Sequence, residues 1–135
     1  ITDAKWADFD NDDDYDLIIV GEWMGIKLFE NDNLNFSDIS NNVGLKNTSG
    51  WWNRIASSDI DNDGDIDFIV GNHGLNSRFK ASLEEPISLY VNDFDNNGSI
   101  EQIISSYNQD KSYPLVLRHE LIKQLPHLKK KYVLI

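Results

Sequence analysis

Asp59-Ile60-Asp61-Asn62-Asp63-Gly64-Asp65-Ile66-Asp67 runs directly into the apolar stretch Phe68-Ile69-Val70. With Asp59 as position 1, acids stand at positions 1, 3, 5 and 9, and glycine stands at position 6. Alternate acids on a tightly turned loop aim their oxygens at one centre. Carboxylates held that close repel one another unless a cation sits among them. A hard cation with many oxygen ligands fits this donor set, which points to Ca²⁺. Gly64 provides a residue free to take positive φ where the loop reverses.

The pattern occurs twice more. Asp8-Phe9-Asp10-Asn11-Asp12-Asp13-Asp14-Tyr15-Asp16 precedes Leu17-Ile18-Ile19-Val20. Asp93-Phe94-Asp95-Asn96-Asn97-Gly98-Ser99-Ile100-Glu101 precedes Gln102-Ile103-Ile104. Three copies in one chain constitute an internal repeat. Their starts lie 51 and 34 residues apart, so the second unit is shortened or lacks a hairpin. An EF-hand would need a bidentate Glu at position 12 and flanking helices. Position 12 is instead Ile19, Val70 and Ile104. The residues after each loop are β-branched and apolar, so the expected context is strand–loop–strand.

These loops, D-x-D-x-D-G-x-x-D followed by an apolar strand, resemble the FG-GAP or VCBS repeat of integrin α-subunit β-propellers and bacterial surface proteins. The resemblance spans most of residues 1–110. It implies an all-β fold of about two to three propeller-type blades, an incomplete ring. It also implies up to three Ca²⁺ ions, held by side chains at positions 1, 3, 5 and 9 and the carbonyl at position 7. The implied ligands are Asp8, Asp10, Asp12, Asp16 and the Asp14 carbonyl in the first loop. In the second they are Asp59, Asp61, Asp63, Asp67 and the Asp65 carbonyl. In the third they are Asp93, Asp95, Asn97, Glu101 and the Ser99 carbonyl. Two departures stand out. Asp13 replaces the position-6 glycine, and the third loop carries the neutral Asn97 and the longer Glu101.

The 135 residues suffice for one modest domain with a core, given 40% hydrophobic and 11% aromatic content. A net charge of −11 argues against a nucleic-acid partner. Three Ca²⁺ would offset about half of it. A merely solubilising acidic surface would not explain the repeated spacing. With no cysteine, disulfides, thiolate metal sites and cysteine nucleophiles are excluded. No apolar run is long enough for a transmembrane span. No signal peptide is visible, and a start at Ile1 reads as a piece of a longer or processed product.

Strands are expected over 1–7, 17–20, 26–29 and 36–39, with a turn at Gly21–Gly25; this is one four-stranded blade. Further strands are expected over 51–58, 68–70, 87–91, 103–107 and 113–116, with turn chemistry from Gly71 and an irregular or briefly helical stretch from Arg78 to Glu85. Arg118–Leu125 has helical apolar spacing ended by Pro126, and His127–Tyr132 reads as a second short turn. The expected organisation is a repeat region over 1–114 and a helical appendage over 115–135. Lys129-Lys130-Lys131 suits an acidic partner or lipid headgroups, or simply a solvated chain end.

Catalysis is not expected. Paired carboxylates can hydrolyse glycosides, but these sit at metal-ligand spacing, and His73, His119 and His127 are scattered. Trp51 and Trp52 are adjacent and face opposite sides of a strand; one belongs to the core, and the other packs between blades or offers a stacking platform. The expected function is a Ca²⁺-binding module for protein or glycan at a cell surface, extracellular or periplasmic. The alternative is an architectural segment of a larger surface assembly or exported enzyme. Blade edges would be completed by a homodimer or by further blades in a longer chain.

Overall fold

The computed structural model describes residues 1–74 and 77–130. The described residues are mostly β: three antiparallel sheets and one short helix, α1 (Arg118–Gln124), followed by a 3₁₀ turn over Pro126–Lys130. The chain divides into two compact units, 1–76 and 77–135.

In the first unit, β1 (Asp3–Ala7), β2 (Asp16–Val20), β4 (Lys27–Asp32) and β5 (Asn35–Asp38) form a four-stranded sheet in the order β1-β2-β4-β5. This is the expected complete blade. Asn33 and Leu34 both take positive φ at the β4–β5 turn, as a two-residue type I′ hairpin demands. The second sheet has the order β3-β6-β7, from β3 (Glu22–Met24), β6 (Gly50–Ser58) and β7 (Asp67–Asn72). Among the described residues it has no outer hairpin of its own, in keeping with the short spacing to the third loop.

Alternation along the strands places the core. Ile18, Val20 and Leu28 are buried on one face of the first sheet, where they cluster with Ile26 and with Ile55 of β6. Phe68, Val70 and Trp52 of the second sheet pack against that cluster. Polar bonds stitch the two sheets together. The Ile55 N–H donates to Asp3 Oδ2 at 3.1 Å, and the Thr2 hydroxyl donates to the Trp52 carbonyl at 2.6 Å. Trp52 is therefore the core tryptophan, its indole N–H held by the Thr48 carbonyl at 2.7 Å. Trp51 faces the other way, packed edge-to-face with Trp23 and with His73.

Two local expectations are corrected. Gly21–Gly25 is not simply a turn: Glu22 and Met24 pair with Trp51 and Gly50 across a bulge, which holds Trp23 at φ 61°. Gly71 and Asn72 belong to β7, because the nine-residue β6 offers partners as far as Trp52.

The second unit holds a three-stranded sheet, β10-β9-β8, from β8 (Ser88–Asn92), β9 (Glu101–Asn108) and β10 (Lys111–Pro114). The stretch from Arg78 to Glu85 is irregular rather than helical. In α1 the Leu125 N–H caps the Leu121 carbonyl at 2.8 Å, Leu125 is buried, and Pro126 ends the helix. The end of the lysine run, from Lys131, lies outside the described residues.

Candidate metal centres

Each acidic loop joins two antiparallel strands in the same register. The residue before position 1 pairs with the residue at position 9: Ala7 with Asp16, Ser58 with Asp67, Asn92 with Glu101. The acid at position 9 therefore opens the returning strand, and the β-ladder closes the loop at its base.

One hydrogen-bond frame repeats inside all three loops. The position-9 carboxylate reaches back to the N–H at position 2. Phe9 donates to Asp16 at 3.0 Å, Ile60 to Asp67 at 2.9 Å and Phe94 to Glu101 at 2.9 Å. The longer Glu101 thus reaches the same partner as the two aspartates. The position-5 side chain caps the N–H at position 7. Asp14 donates to Asp12 at 2.8 Å, Asp65 to Asp63 at 3.0 Å and Ser99 to Asn97 at 2.7 Å. The position-1 carboxylate collects N–H groups from the far side of the loop. Asp8 accepts from Asp12 and Asp13, Asp59 from Gly64, and Asp93 from Asn97 and Gly98.

Backbone strain makes this frame reachable. Position 6 takes positive φ in every copy: Asp13 at 71°, Gly64 at 99° and Gly98 at 88°. Position 4 does the same: Asn11 at 60°, Asn62 at 61° and Asn96 at 59°. Asparagine tolerates the left-handed region better than most residues. The recurrence of Asn at position 4 was the signal for this second reversal, and reasoning from the acids alone passes over it.

The frame brings positions 1, 3 and 9 together. Oxygens of Asp8, Asp10 and Asp16 lie within 4.8 Å of one another, as do those of Asp59, Asp61 and Asp67 and those of Asp93, Asp95 and Glu101. The acids at positions 5 and 7 of the first two loops, Asp12, Asp14, Asp63 and Asp65, lie outside these triplets. Asp12, Asp63 and Asn97 each turn one oxygen onto the backbone. Asp14 accepts the Asn33 N–H at 3.0 Å, and Asp65 accepts from the Asn11 amide at 2.9 Å.

The electrostatics answer to this crowding. Loss of surrounding water, then the charges of Asp12, Asp16 and Asp8, hold the Asp10 carboxyl above its ordinary range. Asp93 is held below its ordinary range, chiefly by the Gly98 N–H. Among the described residues, the buried side-chain oxygens without a hydrogen-bond partner are Asp59 Oδ1 and Asp95 Oδ1. Both belong to these triplets. A buried carboxylate oxygen left unpaired costs free energy that a bound cation removes. The donor set, all oxygen and mostly anionic, suits a hard divalent ion.

Residues 8–70 match the family model of the FG-GAP-like repeat. This stretch is similar to an FG-GAP-like repeat. It takes in both acidic loops of the first unit, from Asp8 through the β7 residue Val70. The repeat implies propeller-type blades, and the three sheets with their strand–loop–strand registers have that form. No curated protein and no solved structure matches the chain significantly. No helix among the described residues is long and apolar enough to cross a membrane.

Proposed function

We propose that the chain is a calcium-stabilised module of propeller-type blades that binds protein or glycan at a cell surface. The observation that carries the calcium half is the pair of orphaned oxygens, Asp59 Oδ1 and Asp95 Oδ1, each inside a triplet of converging carboxylates. Asp8, Asp10, Asp12 and Asp16 with the Asp14 carbonyl would hold the first ion. Asp59, Asp61, Asp63 and Asp67 with the Asp65 carbonyl would hold the second. Asp93, Asp95, Asn97 and Glu101 with the Ser99 carbonyl would hold the third. Bound there, Ca²⁺ supplies positive charge and nothing catalytic. The chain's own residues fix the turn between two strands and orient the blade.

The binding half draws on the ring cluster of Trp23, Trp51 and His73. The ring centroids lie 4.9 Å and 5.3 Å apart at steep angles, on the side of β6 opposite the core. Trp23 is held at φ 61°, costly for a bulky side chain, and strain of this kind concentrates at functional positions. Rings so arranged offer an apolar wall to a sugar or to a partner's side chain.

A second observation favours the architectural reading. Trp6, Leu17 and Phe29 lie in register across β1, β2 and β4 on the outer face of the first sheet. Trp6 and Phe36 are exposed there, edge-to-face at 5.9 Å. Such a face suits a further blade. The two readings separate in one experiment: a glycan array probed with the 135-residue chain in Ca²⁺ and in EDTA, beside light scattering of the same samples. Calcium-dependent glycan binding lost in Trp23→Ala supports the binding module. Silence on the array with self-association through Trp6 supports the architectural segment.

A further inference from the structure

We infer that the first two cation centres are coupled, with Asn11 acting as a positioning residue for the second loop although it belongs to the first. The inference rests on the calcium reading above and concerns how the two centres act on each other. The Asn11 side-chain amide donates to Asp65 Oδ1 at 2.9 Å, across 54 residues of sequence. Both ends of this bond sit at sensitive points. Asn11 holds one of the two positive-φ reversals of the first loop and directly precedes Asp12, whose N–H is bound by Asp8. Asp65 stands at position 7 of the second loop. Its N–H is the donor that caps Asp63, and its carbonyl is the backbone oxygen proposed as a ligand. The bridge therefore runs from the backbone of one loop to the peptide that the other must orient.

The consequence follows from ordering. A cation in the first loop fixes the Asp8–Asp12 frame and with it Asn11. A fixed Asn11 holds the Asp65 side chain, so the Asp63–Asp65 turn is already set when the second cation arrives. Part of the ordering cost of the second loop is met by the first binding event, which is positive coupling without a change of shape. By linkage the effect is reciprocal. Repulsion between two divalent ions opposes it, and salt weakens that repulsion more than it weakens a direct hydrogen bond. The equivalent Asn62 makes no return bridge among the described residues, so the coupling runs through a single bond.

The test uses the 135-residue chain carrying Asp95→Ala, which silences the third loop. Calorimetry measures Ca²⁺ affinity at the second loop with the first intact and with it silenced by Asp10→Ala, at physiological salt. The expected loss on silencing is about fivefold, the low end of ordinary coupling. Repeated with Asn11→Gly, the loss should nearly vanish. Glycine keeps the left-handed backbone and removes only the amide. Asp65→Ala cuts the bridge from its other end and should abolish the coupling likewise. An equal loss with and without Asn11, or an affinity that rises when the first loop is silenced, overturns the inference and leaves the calcium reading standing. No binding heat in any variant that retains a native circular dichroism spectrum overturns the calcium reading itself.

Discussion

Asp16 should hold the first blade together whether or not a metal is present. Only 1% of its surface is exposed, and both its oxygens are engaged. One accepts the Phe9 N–H at 3.0 Å and the other the Asn31 N–H at 2.8 Å, so it ties the first loop to β4. Asp16→Asn keeps the shape but leaves one acceptor oxygen and turns an NH₂ group toward a backbone N–H. One buried donor then goes unsatisfied, at about 1–3 kcal/mol. The bond that survives becomes neutral and loses about half its strength. The sum is roughly 3 kcal/mol, or on the order of 10 °C in Tm for a chain of this size. Asp12→Asn is the control. Its retained oxygen still caps the Asp14 N–H at an exposed site, so the cost should stay within about 0.5 kcal/mol. Urea unfolding in EDTA, followed by tryptophan fluorescence, reads both. Any further loss in Ca²⁺ measures the ligand role separately. If Asp16→Asn in EDTA loses no more than Asp12→Asn, the closed loop frame described for the first blade is wrong.

Other outcomes follow from the same structure. Affinity for Ca²⁺ should fall from the second loop to the first to the third, so Asp61→Ala should remove more calcium-dependent stability than Asp95→Ala in matched thermal melts. Gly64→Ala should cost about 1 kcal/mol, because φ 99° is hostile to a side chain even though a Cβ there would meet nothing within 4 Å. Asp13→Gly should be neutral or slightly stabilising by urea unfolding, since it relieves an aspartate held at φ 71°. The Lys27 side chain, bonded to Asp38 at 2.8 Å, and then the Ser40 donors lower the Asp38 carboxyl from 3.8 to about 2. A lowered acid contributes its stability above the unfolded value of 3.8 and loses it as pH falls toward 2. An NMR titration should place Asp38 near 2, and Lys27→Met should move it up toward 3.8.

Most of the candidate site was legible because its chemistry is local. The nine residues Asp59–Asp67 spell out ligand spacing, reversal and the strand that follows. The two sister loops repeat that message, so loop position and β context come from sequence neighbours alone. What was hidden depends on partners far along the chain. Period-two alternation places Trp51 and Trp52 on opposite faces. Only the β3–β6 pairing and the Thr48 carbonyl decide that Trp52 is the one packed against the core. The positive φ of Trp23 is imposed by a bulge against β6 and has no signature in Glu22-Trp23-Met24. The Asn11–Asp65 bridge requires two residues 54 apart, in different loops, to meet. The second bond of Asp16, to Asn31, exists only once β2 and β4 pair.

The central claim is that the three repeated loops are calcium centres which hold the blades in place. The direct measurement is a titration of the chelator-stripped 135-residue chain with Ca²⁺ by calorimetry, with melting curves of the same samples in Ca²⁺, Mg²⁺ and EDTA. Saturable binding of up to three ions should appear. Calcium at a hundred times the dissociation constant should add about 2.7 kcal/mol per site. The melting temperature should rise accordingly, with Mg²⁺ much weaker because its octahedral preference fits these loops poorly. An absence of binding heat, together with a melting curve that chelation leaves unchanged, would contradict the account.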